Sequence, residues 1–152
     1  MNTGRFSNIP SATYRRIYSQ VPRTTVDVVI RTPRGILLSR RSIKPYRGYW
    51  HLPGGRVRKF EPLRRAAQRI CREELGLRVR VLGVVGTIEY LRERVAPGFN
   101  THSVSTVLAV RPIGGSLRGS WQARNAAFLK TPPPRTIAAV RKFLLQRRLW
   151  TK

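Results

Sequence analysis

Residues 54–77, GGRVRKFEPLRRAAQRICREELGL, hold three carboxylates: Glu61, Glu73 and Glu74. The chain of 152 residues has only six acidic side chains against 31 lysines and arginines, so half of its negative charge lies in this window. At about 100° per residue, positions 61–75 put Leu63, Ala66, Ala67 and Ile70 on one apolar stripe, with Glu74 inside it and Glu73 at its edge. Pro62 suits the first turn of such a helix, where its missing N–H is no loss, and Gly76 suits its end. A carboxylate turned toward the buried side must find a partner or be neutralised. In one reading Glu73 pairs with Arg69 at i−4 and Glu74 meets a core arginine. In the other, both sit where the helix meets a glycine-rich loop and hold a hard divalent cation such as Mg²⁺, which takes oxygen ligands.

The flanks supply strands. Residues 24–31, TTVDVVIR, alternate and are β-branched; TPRG is a turn, and ILLS at 36–39 is expected to return as the second arm of a hairpin. Residues 41–50 form a loop broken by Pro45 and Gly48. Residues 78–91 read as one long strand with bulge points at Gly83 and Gly86. Residues 102–112 are another strand, 113–120 a turn and 121–130 a further strand. After three prolines, Thr136 is expected to cap a closing helix with Ile137, Val140 and Leu144 on one face. Near the start, Tyr14, Ile17 and Tyr18 are spaced as a short helix. This order predicts an α+β protein, an α/β/α sandwich with a mixed central sheet flanked by helices.

The length suits one domain spanning 1–152, with 1–13 as an N-terminal extension. A single cysteine, Cys71, excludes an internal disulfide and fits a reducing compartment, so a cytoplasmic location is expected. The acid-free, Arg/Ser-rich start makes organelle import the lesser alternative. No apolar run approaches the ~20 residues that span a bilayer. The formal charge of +25 is spread along the whole chain, so it belongs to the fold and not to a tail. Charge of that size self-repels unless counterions or a polyanion relieve it, which points to nucleic acid or another phosphate-rich partner.

The spacing of the window is informative. Gly55, Glu61, Arg69, Cys71, Glu73-Glu74, Leu75, Gly76 and Leu77 resemble the Nudix box of the Nudix hydrolases, here at 55–77. One position departs: the acid expected after the box arginine is Ile70. The flanks, VPRTTVDVVI and LLSRRSIKPYRGYWHLPGGRV, resemble the GDP-mannose mannosyl hydrolase branch, which tolerates a non-acid at that position. The resemblance implies a Mg²⁺- or Mn²⁺-dependent hydrolase of a nucleoside diphosphate linked to another moiety, most simply a nucleotide sugar. It implies Asp27, Arg41 and Arg56 as substrate-site residues and Gly54 (through its carbonyl), Glu73, Glu74 and Gln122 as metal ligands, with Arg56 and Glu74 the residues closest to catalysis. The branch's histidine general base is Ala123 here, and the remaining candidates, His102, Glu89 and Glu93, have no spacing argument. His51 reads as structural. The competing reading is a Nudix scaffold serving as a basic nucleic-acid or ribonucleoprotein binding module. The partners expected are thus a nucleoside diphosphate-linked substrate, nucleic acid or another polyanion, and a second copy in a homodimer, with no membrane.

Overall fold

The computed structural model of the protein describes residues 9–118 and 123–150. In chain order its elements are α1 (Ser11–Tyr18), β1 (Arg23–Val29), β2 (Arg31–Thr32), β3 (Gly35–Arg41), β4 (Trp50–His51), β5 (Gly54–Arg56) and α2 (Leu63–Ile70). A π-helical turn, Cys71–Leu75, continues α2, followed by β6 (Leu77–Ala96), β7 (Phe99–Gly115), β8 (Ala123–Leu129) and α3 (Ala138–Gln146).

Residues 25–30 of β1 and its exit are all buried, and apart from Thr25 and Asp27 they are apolar, as a strand covered on both faces requires. β1 accordingly lies inside a mixed sheet of order β5-β1-β7-β6, parallel to β7 and antiparallel to β5. A second sheet has the order β2-β3-β4, with β8 antiparallel to β3. The expected hairpin between 24–31 and 36–39 is thereby corrected. Only residues 30–32 of the expected first arm and turn bond to the start of β3, because the chain leaves the first sheet after β1 and turns in the second.

The helix is also shorter than the periodicity predicts. Pro62 stands before the first turn, not in it, and the α-helix runs from Leu63 to Ile70 before widening into the π turn. Gly76 ends it at φ +70°, the left-handed conformation that glycine adopts without strain. Ala66, Ala67 and Ile70 bury the predicted stripe against Val26, Val28, Val79 and Leu108. On the other side of the sheet α3 packs Val140 and Leu144 against Val29, Ile36, Leu38 and Val107. Two helices covering opposite faces of a mixed sheet make the expected sandwich.

β6 is bulged at Gly83 and Gly86, as read from the sequence. β7 continues through Gly115, beyond the expected end at residue 112, because Gly114 and Gly115 pair with Arg78 and Leu77. Thr136 does not cap α3: its hydroxyl donates to the Pro133 carbonyl at 2.7 Å, and no side chain caps the helix. Among the described residues no helix is long and apolar enough to cross a membrane.

Candidate active site

A cleft of about 480 Å³ opens between the π turn and the first sheet. Its near wall comes from the box: Gly54, Gly55 and Arg56 on β5, then Ile70, Glu73 and Glu74. Asp27 of β1 and Arg41 at the end of β3 also line it. Six of the seven residues expected at the site therefore border one cavity. Gln122 lies outside the described residues.

β5 approaches β1 closely because Gly54 has no side chain. A Cβ there would stand 2.0 Å from Asp27 Oδ1 and 2.7 Å from the Val26 carbonyl oxygen. Ile70, at the position where an acid was expected, is buried and packs close to Gly55, so this part of the wall is apolar.

The carboxylates of the window have separate fates. Glu61 accepts from Arg69 Nε at 2.7 Å, from Arg69 Nη2 at 2.9 Å and from the Arg58 N–H at 3.0 Å. Burial would raise its pKa, but these donors outweigh burial and hold it below the usual carboxylate value. Glu61 does not line the cleft. Glu73 is exposed and accepts from Arg69 Nη1 at 3.2 Å and Arg58 Nη2 at 3.4 Å, so the i−4 pair considered from the sequence does form. Glu74 is half-buried, and its charge acts on Arg41 across the cleft. Burial lowers the Arg41 pKa from its ordinary value, against the opposing pull of Glu93 and Glu74.

The far wall was not anticipated. Tyr90 of β6 and Ser105 of β7 each donate a 2.9 Å hydrogen bond to Asp27 Oδ2. Burial pushes the Asp27 pKa up to about 6 despite these donors, with the Glu93 charge adding to the rise. Beside it, Arg23 and Ser103 both bond to Glu93, and Arg23 also donates to the Tyr14 hydroxyl of α1. Thr101, Ser103 and Ser105 are all buried, facing inward at alternate positions of β7. That run of small hydroxyls at i, i+2 and i+4 was the available signal, yet the intervening His102 and Val104 gave no contrast to orient it.

The candidate bases divide. Glu93 lines the cleft, whereas Glu89 is exposed and His102 does not border it. His51 does border it, and its ring Nε2 is enclosed. Nδ1 lies 2.6 Å from the Leu52 carbonyl oxygen and so carries the proton, leaving Nε2 buried without a partner among the described residues. Burial, then the nearby Arg41 charge, lowers the His51 pKa to about 3, so the ring is neutral. Cys71 is buried in the core with its thiol pushed up to about 12, and offers no nucleophile.

The NUDIX domain model matches residues 21–135 of this chain. The chain belongs to the Nudix hydrolase family. This Nudix chain is 42% identical over 84 residues to the low-salt glycan biosynthesis protein Agl8 of Haloferax volcanii, covering 55% of this chain and 54% of that protein. It is 34% identical over 107 residues to an ADP-ribose pyrophosphatase of Methanocaldococcus jannaschii, covering 70% and 61% respectively. It thus spans between about half and three fifths of these curated relatives. The crystal structure of a MutT Nudix hydrolase from Burkholderia pseudomallei superposes with a TM-score of 0.71 at 30% identity, covering 83% of this chain and 98% of that one.

Nudix hydrolases generally use divalent ions, and the donors in this Nudix cleft suit one. Among the described residues no three or more His, Cys, Asp or Glu side chains form a ready-made cage. Mg²⁺ needs no such cage, since one or two carboxylates suffice when substrate phosphates and water complete the shell. Glu73, Glu74 and the Gly54 backbone offer only oxygen, the donor type that Mg²⁺ and Mn²⁺ take.

Proposed function

We propose that this Nudix protein hydrolyses a nucleoside diphosphate linked to a second moiety, a nucleotide sugar of the GDP-mannose kind. The carrying observation is the meeting of Glu73, Glu74, Arg41, Arg56 and Asp27 around one cleft in a chain with only six acids. A chain that could have lined this cavity with arginine alone keeps carboxylates there. The two relatives, one named for glycan biosynthesis and one an ADP-ribose pyrophosphatase, agree with a sugar-linked diphosphate.

In this reading Glu73, Glu74 and the Gly54 carbonyl hold Mg²⁺ or Mn²⁺, with Gln122 as a further ligand. When bound, the ion neutralises diphosphate oxygens and favours attack by water. Arg41 and Arg56 bind phosphate oxygens and stabilise charge gathering on the departing diphosphate. Arg41 is held for this by its Nε–H, which donates to the Pro45 carbonyl. Asp27, fixed by Tyr90 and Ser105, turns toward the substrate's hydroxyl-bearing part. Ile70 leaves no acid at its position to act as base.

The test is turnover of a panel of nucleotide sugars and ADP-ribose with Mg²⁺ or Mn²⁺. Glu74→Gln is expected to lower kcat/KM by about 100-fold or more, while thermal unfolding stays close to that of the parent. Full activity in Glu74→Gln, or no turnover of any substrate, overturns the proposal.

A further inference from the structure

A second depression, of about 410 Å³, lies away from the cleft and shares none of its lining residues. The turn between β2 and β3, the end of β8 and the segment after α3 build it. Arg31, Lys130 and Arg148 line it, with Pro33, Leu149 and Trp150. In the second sheet β2, which carries Arg31, and β4, which carries His51 of the cleft, both lie along the edge of β3 opposite β8, but at opposite ends of that strand, β2 beside Gly35 and Ile36 and β4 beside Ser39 and Arg40.

All three cations are exposed. Their side chains make no ion pair, hydrogen bond or ring contact among the described residues, whereas Arg23, Arg58 and Arg69 are all paired with acids. No carboxylate lines the depression. The acids are elsewhere: Asp27, Glu73, Glu74 and Glu93 line the cleft, Glu61 is bonded to Arg69 beside it, and Glu89 is exposed on β6. Three like charges around one concavity repel one another, and no acidic side chain among the described residues relieves them. Trp150 is buried and its indole N–H donates to the Leu129 carbonyl at 2.8 Å, which gives the depression a firm floor.

We propose that this depression docks the phosphodiester backbone of a single-stranded polynucleotide, as a site separate from the hydrolytic cleft. The three cations come from three different elements and stand around the depression in place of converging on a protein acid, which suits successive phosphates of one strand. Pro33 and Leu149 between them offer apolar contact to the sugars. A flat bilayer surface does not enter a concavity, and no exposed apolar helix face adjoins it to insert. The overall charge of +25 draws a polyanion in from a distance, and the local trio positions it.

The experiment is fluorescence anisotropy of the full chain with a labelled single-stranded oligonucleotide across a salt series. Three phosphate contacts at about 0.7 each predict that Arg31→Gln/Lys130→Gln/Arg148→Gln flattens the slope of log affinity against log salt by about 2. Glutamine keeps much of the aliphatic stem, and circular dichroism checks the fold. The control Arg80→Gln/Arg92→Gln/Arg111→Gln removes three exposed charges from the first sheet and should leave most of that slope. Lys130→Glu alone should weaken binding more than Arg92→Glu does. Equal losses in the two triple variants would mean diffuse attraction and overturn the site, as would absence of oligonucleotide binding. Competition by millimolar inorganic phosphate as effective as by an equal concentration of oligonucleotide phosphate would assign the depression to a free anion and also overturn it. Nucleotide-sugar hydrolysis is measured in parallel, so failure here is distinguishable from failure of the cleft.

Discussion

Arg69 grips Glu61 through two parallel hydrogen bonds, Nε to Oε1 at 2.7 Å and Nη2 to Oε2 at 2.9 Å. Nη2 also donates to the Arg56 carbonyl at 2.9 Å. One guanidinium thus fastens the loop after β5 to α2, and both partners' side chains are nearly buried, at 12% and 13% exposure. The acid of the motif that is farthest from the π turn therefore shapes the cleft without lining it. Arg69→Lys keeps the charge but loses the planar fork. It should destabilise the fold by about 2–3 kcal/mol, less than the loss from breaking a fully buried pair. Urea denaturation measures it, and a change under about 0.5 kcal/mol, the range of an exposed pair, would show that the fork contributes little.

Gly54 is confined by the nearness of β1. Gly54→Ala places a methyl 2.0 Å from the Asp27 carboxylate and 2.7 Å from a backbone oxygen. The strands must part, so a loss of about 2 kcal/mol or more is expected, with a matching fall in melting temperature. Unchanged stability would mean that the approach of β5 to β1 is looser than described.

Half-buried Tyr90 and buried Asp27 form a hydrogen-bonded pair within a larger network. Tyr90→Phe leaves Asp27 with Ser105 as its remaining hydroxyl donor and should cost about 1–2 kcal/mol. In a double-mutant cycle with Asp27→Asn, the coupling should reach at least about 0.5 kcal/mol. Strict additivity of the two changes would dissolve the network.

His51 gives a pH dependence of known sign. Its pKa is lowered from 6.5 to about 3 in the fold, so the unfolded chain takes up a proton that the folded chain refuses. The His51 contribution to stability should fall as pH drops below the unfolded value, by about 1.4 kcal/mol per pH unit, while Asp27, raised to about 6 in the fold, contributes in the opposite sense over the same range. His51→Gln removes that contribution. Its stability relative to the parent's should therefore rise as pH falls from about 6 to about 4.5, as read by denaturation of both at each pH, with the Asp27 contribution common to the two and cancelling in the difference. Glu61, also depressed, adds its own loss only at lower pH, where carboxylates protonate, so the two are separable. Parallel slopes for parent and variant would mean that the ring is protonated in the fold.

The helix–loop part of the cleft was legible because its information is local. Glu73, Glu74, Gly54 and Arg56 lie within 21 residues of one another, and their spacing along a loop and helix carries the reading. The same spacing did not say which carboxylates were spoken for. Glu61 and Glu74 look alike in the motif, yet only Glu61 is clasped by the Arg69 fork, because that depends on how the loop folds back over α2.

By itself the sequence determined the elements and their buried stripes, the charge that pervades the surface and the concentration of acid in one window. These follow from period, composition and short-range spacing. Tertiary structure alone decided the far wall, where Tyr90 and Ser105 reach Asp27 from 63 and 78 residues away. It also decided the Arg31–Lys130–Arg148 depression, assembled from three distant segments. Both depend on strand order and register, such as Thr25 beside Ser105 in the parallel β1–β7 pair. Register is set by how whole faces pack, so no short stretch of the chain contains it.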